Sequence, residues 1–394
     1  MRPARTLMLI GDTALLERGT PPAATDVVTL VSLPRHLPVT EPDNTVMVTV
    51  ASVGDVRAES RTVDGRHQVT ATTDGSRLLT GLRLGAAISE MITALAGPGR
   101  PERHAPLFCA VPYPGGWHVY SRTHQQGGRW CFIRTSATPI PATGDDLSWL
   151  STAVTLHAAY SGVLNTRRCT VPAALAGKEV ETKYTLPAST AIWPLAAGTH
   201  TRLTAGDIPG MVPRLGDDFE MHDFDNYLFD VTSPADQHGY VSFMSTQPGT
   251  YWIKRKHFTT DTLIRPETIS GPIQPQQPLD AYVREILELD AQPLPPFRRI
   301  RYDIMLESIP TGHHYCIIFD RCTLHQYPDE TLVQCEIEYL RSRRVLPVDV
   351  THVLDEFHAL TEWCGNFLTE QGISSTVSYY SKLSFLRDVI RHRR

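Results

Sequence analysis

The stretch Glu179-Val180-Glu181-Thr182-Lys183 sets two like charges two residues apart. On a strand, side chains alternate faces with period two. Glu179, Glu181 and Lys183 therefore share one face, and Val180, Thr182 and Tyr184 take the other. A half-buried strand does not hold two adjacent carboxylates together without a compensating cation. The pattern returns at Val333-Gln334-Cys335-Glu336-Ile337-Glu338-Tyr339, where Glu336 and Glu338 share a face. Four carboxylates converging in one sheet would suit a hard divalent cation such as Mg2+ or Mn2+.

Between the acidic strands lie basic ones. Tyr251–Phe258 puts Lys254 and Lys256 on one face with Trp252, and Arg298–Asp303 puts Arg299 and Arg301 on one face with Asp303. Arg265-Pro266-Glu267 follows the lysine strand. Proline cannot donate to a ladder, so this piece reads as a strand start, an edge or a surface turn. Guanidinium groups grip phosphate oxygens in pairs and ammonium groups act as point charges. Acidic ends with basic walls suit a metal–polyphosphate complex.

The net charge of -5 gives no global reason to expect nucleic acid or an anionic membrane as partner. Anion binding must then come from the local cluster. The seven cysteines are scattered without a CxxC pair, which argues against a disulfide framework or zinc ribbon and suggests a reducing compartment. The apolar run Leu7–Ile10 stops at Gly11-Asp12, too short for a membrane span or a signal core. A cytoplasmic protein is expected.

The 394 residues allow two domains. Residues 1–165 read as a smaller mixed α/β domain. Strands are expected at Thr6–Ile10, Val27–Leu33, Thr45–Val50 and His67–Thr72, and helices at Ser76–Ala96 and Asp145–Leu164. Leu107–Pro112 and Trp117–Ser121 read as a hairpin. No catalytic motif stands out there. A linker is expected over 166–177, and residues 178–394 read as alternating charged strands, with a short helix near Leu279–Leu289. His314 and Cys316 share a strand face without a further ligand in sequence and read as structural. Arg341, Arg343 and Arg344 read as a solvated strand end.

In order, these strands resemble the CYTH superfamily, the triphosphate tunnel metalloenzymes, over residues 178–390. Glu179, Glu181 and Lys183 match its opening ExExK strand, and Tyr227-Leu228-Phe229-Asp230 its "yyD" strand. Lys254 and Lys256 match a lysine strand, Arg265 and Glu267 an R-x-E element, and Arg299 and Arg301 a K/R-x-R strand. Ile317-Ile318-Phe319-Asp320 matches its aspartate strand, and Glu336 with Glu338 its closing pair. Ser374–Leu383 resembles the Ser/Tyr-containing final helix. The family's R-x-R strand after "yyD" has no basic residue here, in Gly239–Ser245.

The resemblance implies an α+β fold built on an eight-stranded antiparallel β tunnel with flanking helices. It implies metal-dependent chemistry on phosphoanhydrides. Glu179, Glu181, Glu336 and Glu338 would be the catalytic and metal-binding carboxylates, with Mg2+ or Mn2+ as cofactor. Lys183, Lys254, Lys256, Arg265, Arg299 and Arg301 would bind substrate. The leading expectation is a phosphohydrolase acting on a nucleoside or inorganic triphosphate, with nucleic acid engaged only as an RNA 5′ end. A nucleotide cyclase or transferase, and a non-catalytic polyphosphate- or nucleotide-binding module, remain open beside it.

Overall fold

The computed structural model describes residues 5–33, 42–49, 54–126, 128–141, 147–164, 175–216 and 218–393. The chain forms two compact units. One holds Met1–Val171 with Ile309–Gly312 and Arg343–Val348; the other holds Pro172–Ser308, His313–Ser342 and Asp349–Arg394. Most of the expected 166–177 linker lies outside the described residues.

The first unit is one sheet of β1 (Thr6–Asp12), β2 (Val27–Leu33), β3 (Thr45–Thr49), β4 (Asp55–Thr62), β5 (Gln68–Asp74), β6 (His104–Tyr113), β7 (Gly116–Gln126) and β8 (Arg129–Arg134). Their order is β3-β8-β7-β6-β1-β2-β4-β5, and every pairing is antiparallel. The central β1 is buried on both faces, which explains its unbroken apolar run. Met8 and Ile10 join the core packed by α1 (Ala86–Ala96), and Leu7 and Leu9 the core packed by α2 (Ser148–Ala159).

The helix expected from Ser76 begins only at Ala86, because the preceding residues form a short 3-10 turn and a two-residue hairpin at Leu79–Thr80 and Arg83–Leu84. Gly85 lies so close to Arg77 that a Cβ there would fall 1.7 Å from the Arg77 carbonyl oxygen. The helix expected over 145–164 is interrupted at Tyr160, and Asp145 lies outside the described residues. Strands β4 and β8 were not foreseen; the charged residues of β4 hide its alternation of Val56, Ala58, Ser60 and Thr62.

The second unit is a closed eight-stranded antiparallel barrel. Its strands are β9 (Lys178–Leu186), β10 (Phe219–Ser233), β11 (Gly239–Gln247), β12 (Thr250–His257), β13 (Ile264–Ile273), β14 (Phe297–Ser308), β15 (His313–Leu324) and β16 (Thr331–Ser342). They run β14-β15-β16-β9-β13-β12-β11-β10, and β10 pairs back onto β14. Closure leaves these strands no bare edge.

Helices cover the outside. Helix α3 (Ile192–Ala205) packs on β14 and β15, and α4 (Leu279–Glu285, shorter than expected) joins the apolar layer outside β10 and β11 through Val283. Helix α5 (Val350–Glu370) is capped by Asp349, which accepts from the Thr351 N–H at 2.8 Å. Its Gly365 makes room for the ring of Tyr184 on β9, whose hydroxyl donates to the Thr361 carbonyl at 2.8 Å.

The last helix, α6 (Lys382–Arg393), starts later than expected; Thr376–Ser378 before it is a short strand pairing with β9. Leu383, Leu386 and Val389 on one stripe of α6 meet Leu228, Tyr240, Phe297, Cys322, Leu324 and Leu332. Those six residues come from the inward faces of five strands at one end of the barrel. The helix therefore plugs that end, and the barrel is a blind tunnel.

Among the described residues, no helix is long and apolar enough to cross a membrane.

Candidate functional site

Ladder register decides what faces the lumen, because residues directly opposite on neighbouring strands share a face. Glu181 stands opposite Glu338 and Lys183 opposite Glu336. Glu179 stands opposite Arg265. Around the ring, Lys256 stands opposite Glu267 and Tyr240, and Arg301 opposite Asp320. All ten residues singled out from the sequence thus share the lumen. Nine of them line a cavity that encloses about 450 Å³ with its mouth: Glu179, Glu181, Lys183, Lys254, Lys256, Arg299, Arg301, Glu336 and Glu338. The tenth, Arg265, is 1% exposed and bonds Glu181 in the same cluster. Its burial rules out a surface turn; Pro266 at its side is exposed, where the missing N–H costs nothing.

The charges are paired across the lumen. Lys256 donates to Glu179 and, at 2.9 Å, to Glu181. Lys183 Nζ lies 2.6 Å from Glu181 Oε1 and 3.6 Å from Glu336 Oε1. Glu267, not among the expected site residues, meets Lys254 at 3.0 Å and Lys256 at 3.3 Å. Arg299 donates through Nε to Asp320 at 2.8 Å, and Arg301 pairs with Asp303.

A seventh cation comes from the plug. Lys382, the first residue of α6, lies 2.8 Å from both Asp320 and Glu336. Its strand-free, isolated position gave no signal by alternation. Asp320 was visible only as a family match. The "yyD" aspartate, Asp230, sits at the plugged end and anchors α6 through Arg387 at 2.6 Å.

Proton affinities follow from these contacts. Burial alone would raise Glu336; Lys382, Lys183 and Arg299 reverse that and hold it well below the usual carboxylate range. Burial likewise works against Asp320, and Arg299 with Lys382 brings it down. Burial lowers Lys183 to about 8 against the pull of Glu336. Glu338 goes the other way: burial and the nearby Glu179 push it up to about 7. It is half-buried on the cavity wall and forms no ion pair or hydrogen bond with the described residues.

The four glutamates share a lumen without forming a ready metal cage. Among the described residues, the one set of three possible ligands whose atoms all lie within 4.8 Å of one another is Glu220, His222 and Asp303, on β10 and β14. The ammonium groups of Lys183 and Lys256 hold the glutamates in other positions. His222 in that set sits 3.5 Å from Glu220 and 3.6 Å from Asp303, and such groups often meet without an ion.

Strand β11 contributes Tyr240, Ser242 and Met244 to the lumen, none of them basic. Ser242 hydrogen-bonds Asn226 of β10, so this wall is neutral. His314 is buried 3.4 Å from Glu307, and Cys316 is buried beside it in the ladder, which fits a structural role for both. Arg343, expected at a solvated strand end, is buried at 5% exposure.

No family model matches the chain and no curated protein matches it. Among solved structures, one match is the di-domain ARO/CYC StfQ from the steffimycin biosynthetic pathway, at 8% identity over 92% of this chain and 93% of that one. Its TM-score of 0.17 is too low to carry an argument about fold or function.

Proposed function

We propose that the barrel is a divalent-metal-dependent phosphohydrolase acting on a triphosphate-bearing substrate, nucleoside or inorganic. The observation that carries this reading is the meeting of two acidic pairs, from β9 and β16, with cations from β9, β12, β13 and β14 in one blind lumen. Hydrophobic packing could have filled a barrel of this size at lower cost in desolvation. Retaining so many charges in the lumen is what an anionic ligand with its counter-ion would require.

The donor set fits Mg2+ or Mn2+ by chemistry, since it offers hard carboxylate oxygens. It fits by electrostatics at Glu338, which burial and Glu179 push up against the weaker pull of Lys254 and Arg301. Glu179, Glu181, Glu336 and Glu338 would hold the ion, and it would neutralise charge on the phosphate oxygens and activate water. The protein's own groups do the rest. Arg299 and Arg301 are held in place by Asp320 and Asp303 and present fixed donors to phosphate. Lys183 and Lys256 exchange a carboxylate partner for a phosphate oxygen. Glu338, near 7, suits removal of a proton from attacking water at neutral pH.

The test is turnover of inorganic triphosphate, nucleoside triphosphates, thiamine triphosphate and 5′-triphosphorylated RNA, with Mg2+, Mn2+ or chelator. Chelator-sensitive phosphate release is expected from at least one. Release of cyclic nucleotide or a phosphorylated acceptor would instead favour the cyclase or transferase. Metal-dependent binding with no product from any compound would overturn the enzyme reading. The complete pairing of Glu179, Glu181 and Glu336 by lysines favours that second reading, a polyphosphate- or nucleotide-binding module.

A further inference from the structure

Strands β10 and β14 run past the charged lumen toward the open end of the tunnel. Leu228 and Phe297 mark the plugged end. Away from it, β10 turns Asn226, Phe224, His222 and Glu220 inward, and β14 turns Arg299, Arg301 and Asp303 inward. The ladder sets Phe224 opposite Arg299, His222 opposite Arg301 and Glu220 opposite Asp303. The outward residue next to His222, Asp223, is already matched to Arg298 at 2.5 Å.

Three donors meet on the inward face. His222 Nε2 lies 3.5 Å from Glu220 Oε2 and 3.6 Å from Asp303 Oδ2. Ligand atoms of all three residues lie within 4.8 Å of one another. A charge-assisted hydrogen bond would draw nitrogen and oxygen to about 2.7–2.9 Å. The observed separations are wider than that. Bonds of about 2.1 Å from a tetrahedral ion place its ligand atoms about 3.4 Å apart. The two distances from His222 therefore match the edges of a tetrahedron around an ion better than they match hydrogen bonds.

Asp303 is oriented for that role. Its Oδ1 accepts from Arg301 Nε, and its Oδ2 is the atom nearest His222. Tying one carboxylate oxygen to a neighbour and leaving the other for an ion is how outer groups orient a metal ligand. Asp303 is buried, and Glu220 and His222 are half-buried, so an ion can reach them from the open end. Arg301 cancels one of the two carboxylate charges. A divalent ion would then leave the group with a net positive charge. Three protein ligands also leave a coordination position open, which suits water or an anionic oxygen.

We infer that Glu220, His222 and Asp303 form a second divalent-ion site at the open end of the tunnel. It is separate from the ion expected among Glu179, Glu181, Glu336 and Glu338. The imidazole makes it a site of the zinc class, because nitrogen donors suit Zn2+ and Co2+ while all-oxygen sets suit Mg2+. The inference stands on this trio and not on the triphosphate reading, and metal alone tests it.

The experiment is isothermal titration of the full chain with Zn2+ in excess Mg2+, with Co2+ as a second probe read by its visible absorption. Wild type, His222→Ala, Glu220→Gln and Glu338→Gln are compared, with circular dichroism to confirm folding. Wild type should take up Zn2+ at one tight site and give the absorption of four-coordinate Co2+. Loss of a partner outside the ligand shell typically weakens metal binding by about 10–100-fold, so His222→Ala should exceed a loss of about a hundredfold. Glu220→Gln should also weaken the site, and Glu338→Gln, which alters the glutamate set instead, should leave it unchanged. Absence of a tight Zn2+ site, or a site indifferent to His222→Ala or to Glu220→Gln, would overturn the inference. The trio would then be a histidine resting between two carboxylates without an ion, and the triphosphate reading would still stand. A site lost only in Glu338→Gln would place the Zn2+ among the glutamates and overturn it equally.

Discussion

Lys256 bridges Glu179 and Glu181, so one buried ammonium group holds the acidic pair of β9 together. All three side chains are buried. Removing one partner from a buried pair leaves an uncompensated charge and costs about 3–5 kcal/mol. Lys256→Met should lower the free energy of urea unfolding by about that amount in chelator, and Mn2+ should recover part of it. A loss below about 1 kcal/mol would mean that water already compensates these carboxylates.

Glu338 gives a pH-dependent prediction. Its carboxyl titrates near 4.5 as an unperturbed group and at about 7 in the fold. The folded state therefore binds the proton more tightly. The stabilisation this gives is complete below 4.5 and is lost as pH rises through 7. Glu338→Gln keeps a neutral side chain at every pH. In chelator it should match wild type near pH 4 and exceed it near pH 8 by on the order of 2–3 kcal/mol. A stability difference that does not change with pH would refute the assigned shift.

The same substitution separates catalysis from folding. Glu338 has no ion pair to lose, so Glu338→Gln should leave the barrel folded. Metal-dependent turnover should fall more than about a hundredfold, beyond the effect typical of groups that only support a metal ligand. Circular dichroism together with phosphate release checks both halves. Full activity in the folded variant would remove Glu338 from the mechanism.

The plug can be loosened from its apolar side. Leu386 is fully buried where α6 meets the barrel end. Leu386→Ala should cost about 2–5 kcal/mol as a core truncation. Limited trypsin digestion followed by mass spectrometry should show earlier cleavage after Lys382 and Arg387. Unchanged cleavage there would mean that the Lys382 and Arg387 ion pairs hold the helix without its apolar contacts.

Strand alternation made the lumen legible from the chain. Glu179, Glu181 and Lys183 had to share a face, and so did Glu336 with Glu338, Lys254 with Lys256, and Arg299 with Arg301, because period two is a property of the backbone alone. Helical apolar spacing, a separate rule, failed at Ser76–Leu84, where a turn and a two-residue hairpin break it. Alternation was silent on Lys382, whose place in the lumen comes from a helix that docks across the barrel end.

The sequence by itself thus determined which residues line each strand face, since that depends on neighbours two apart. Only the tertiary structure decided that β10 closes on β14, that α6 seals one end, and that Lys183 and Lys256 occupy the glutamate oxygens in place of a ready cage. Those outcomes join residues up to more than a hundred positions apart. They follow from ladder register, closure and the balance of buried charge across the lumen, which no local pattern encodes.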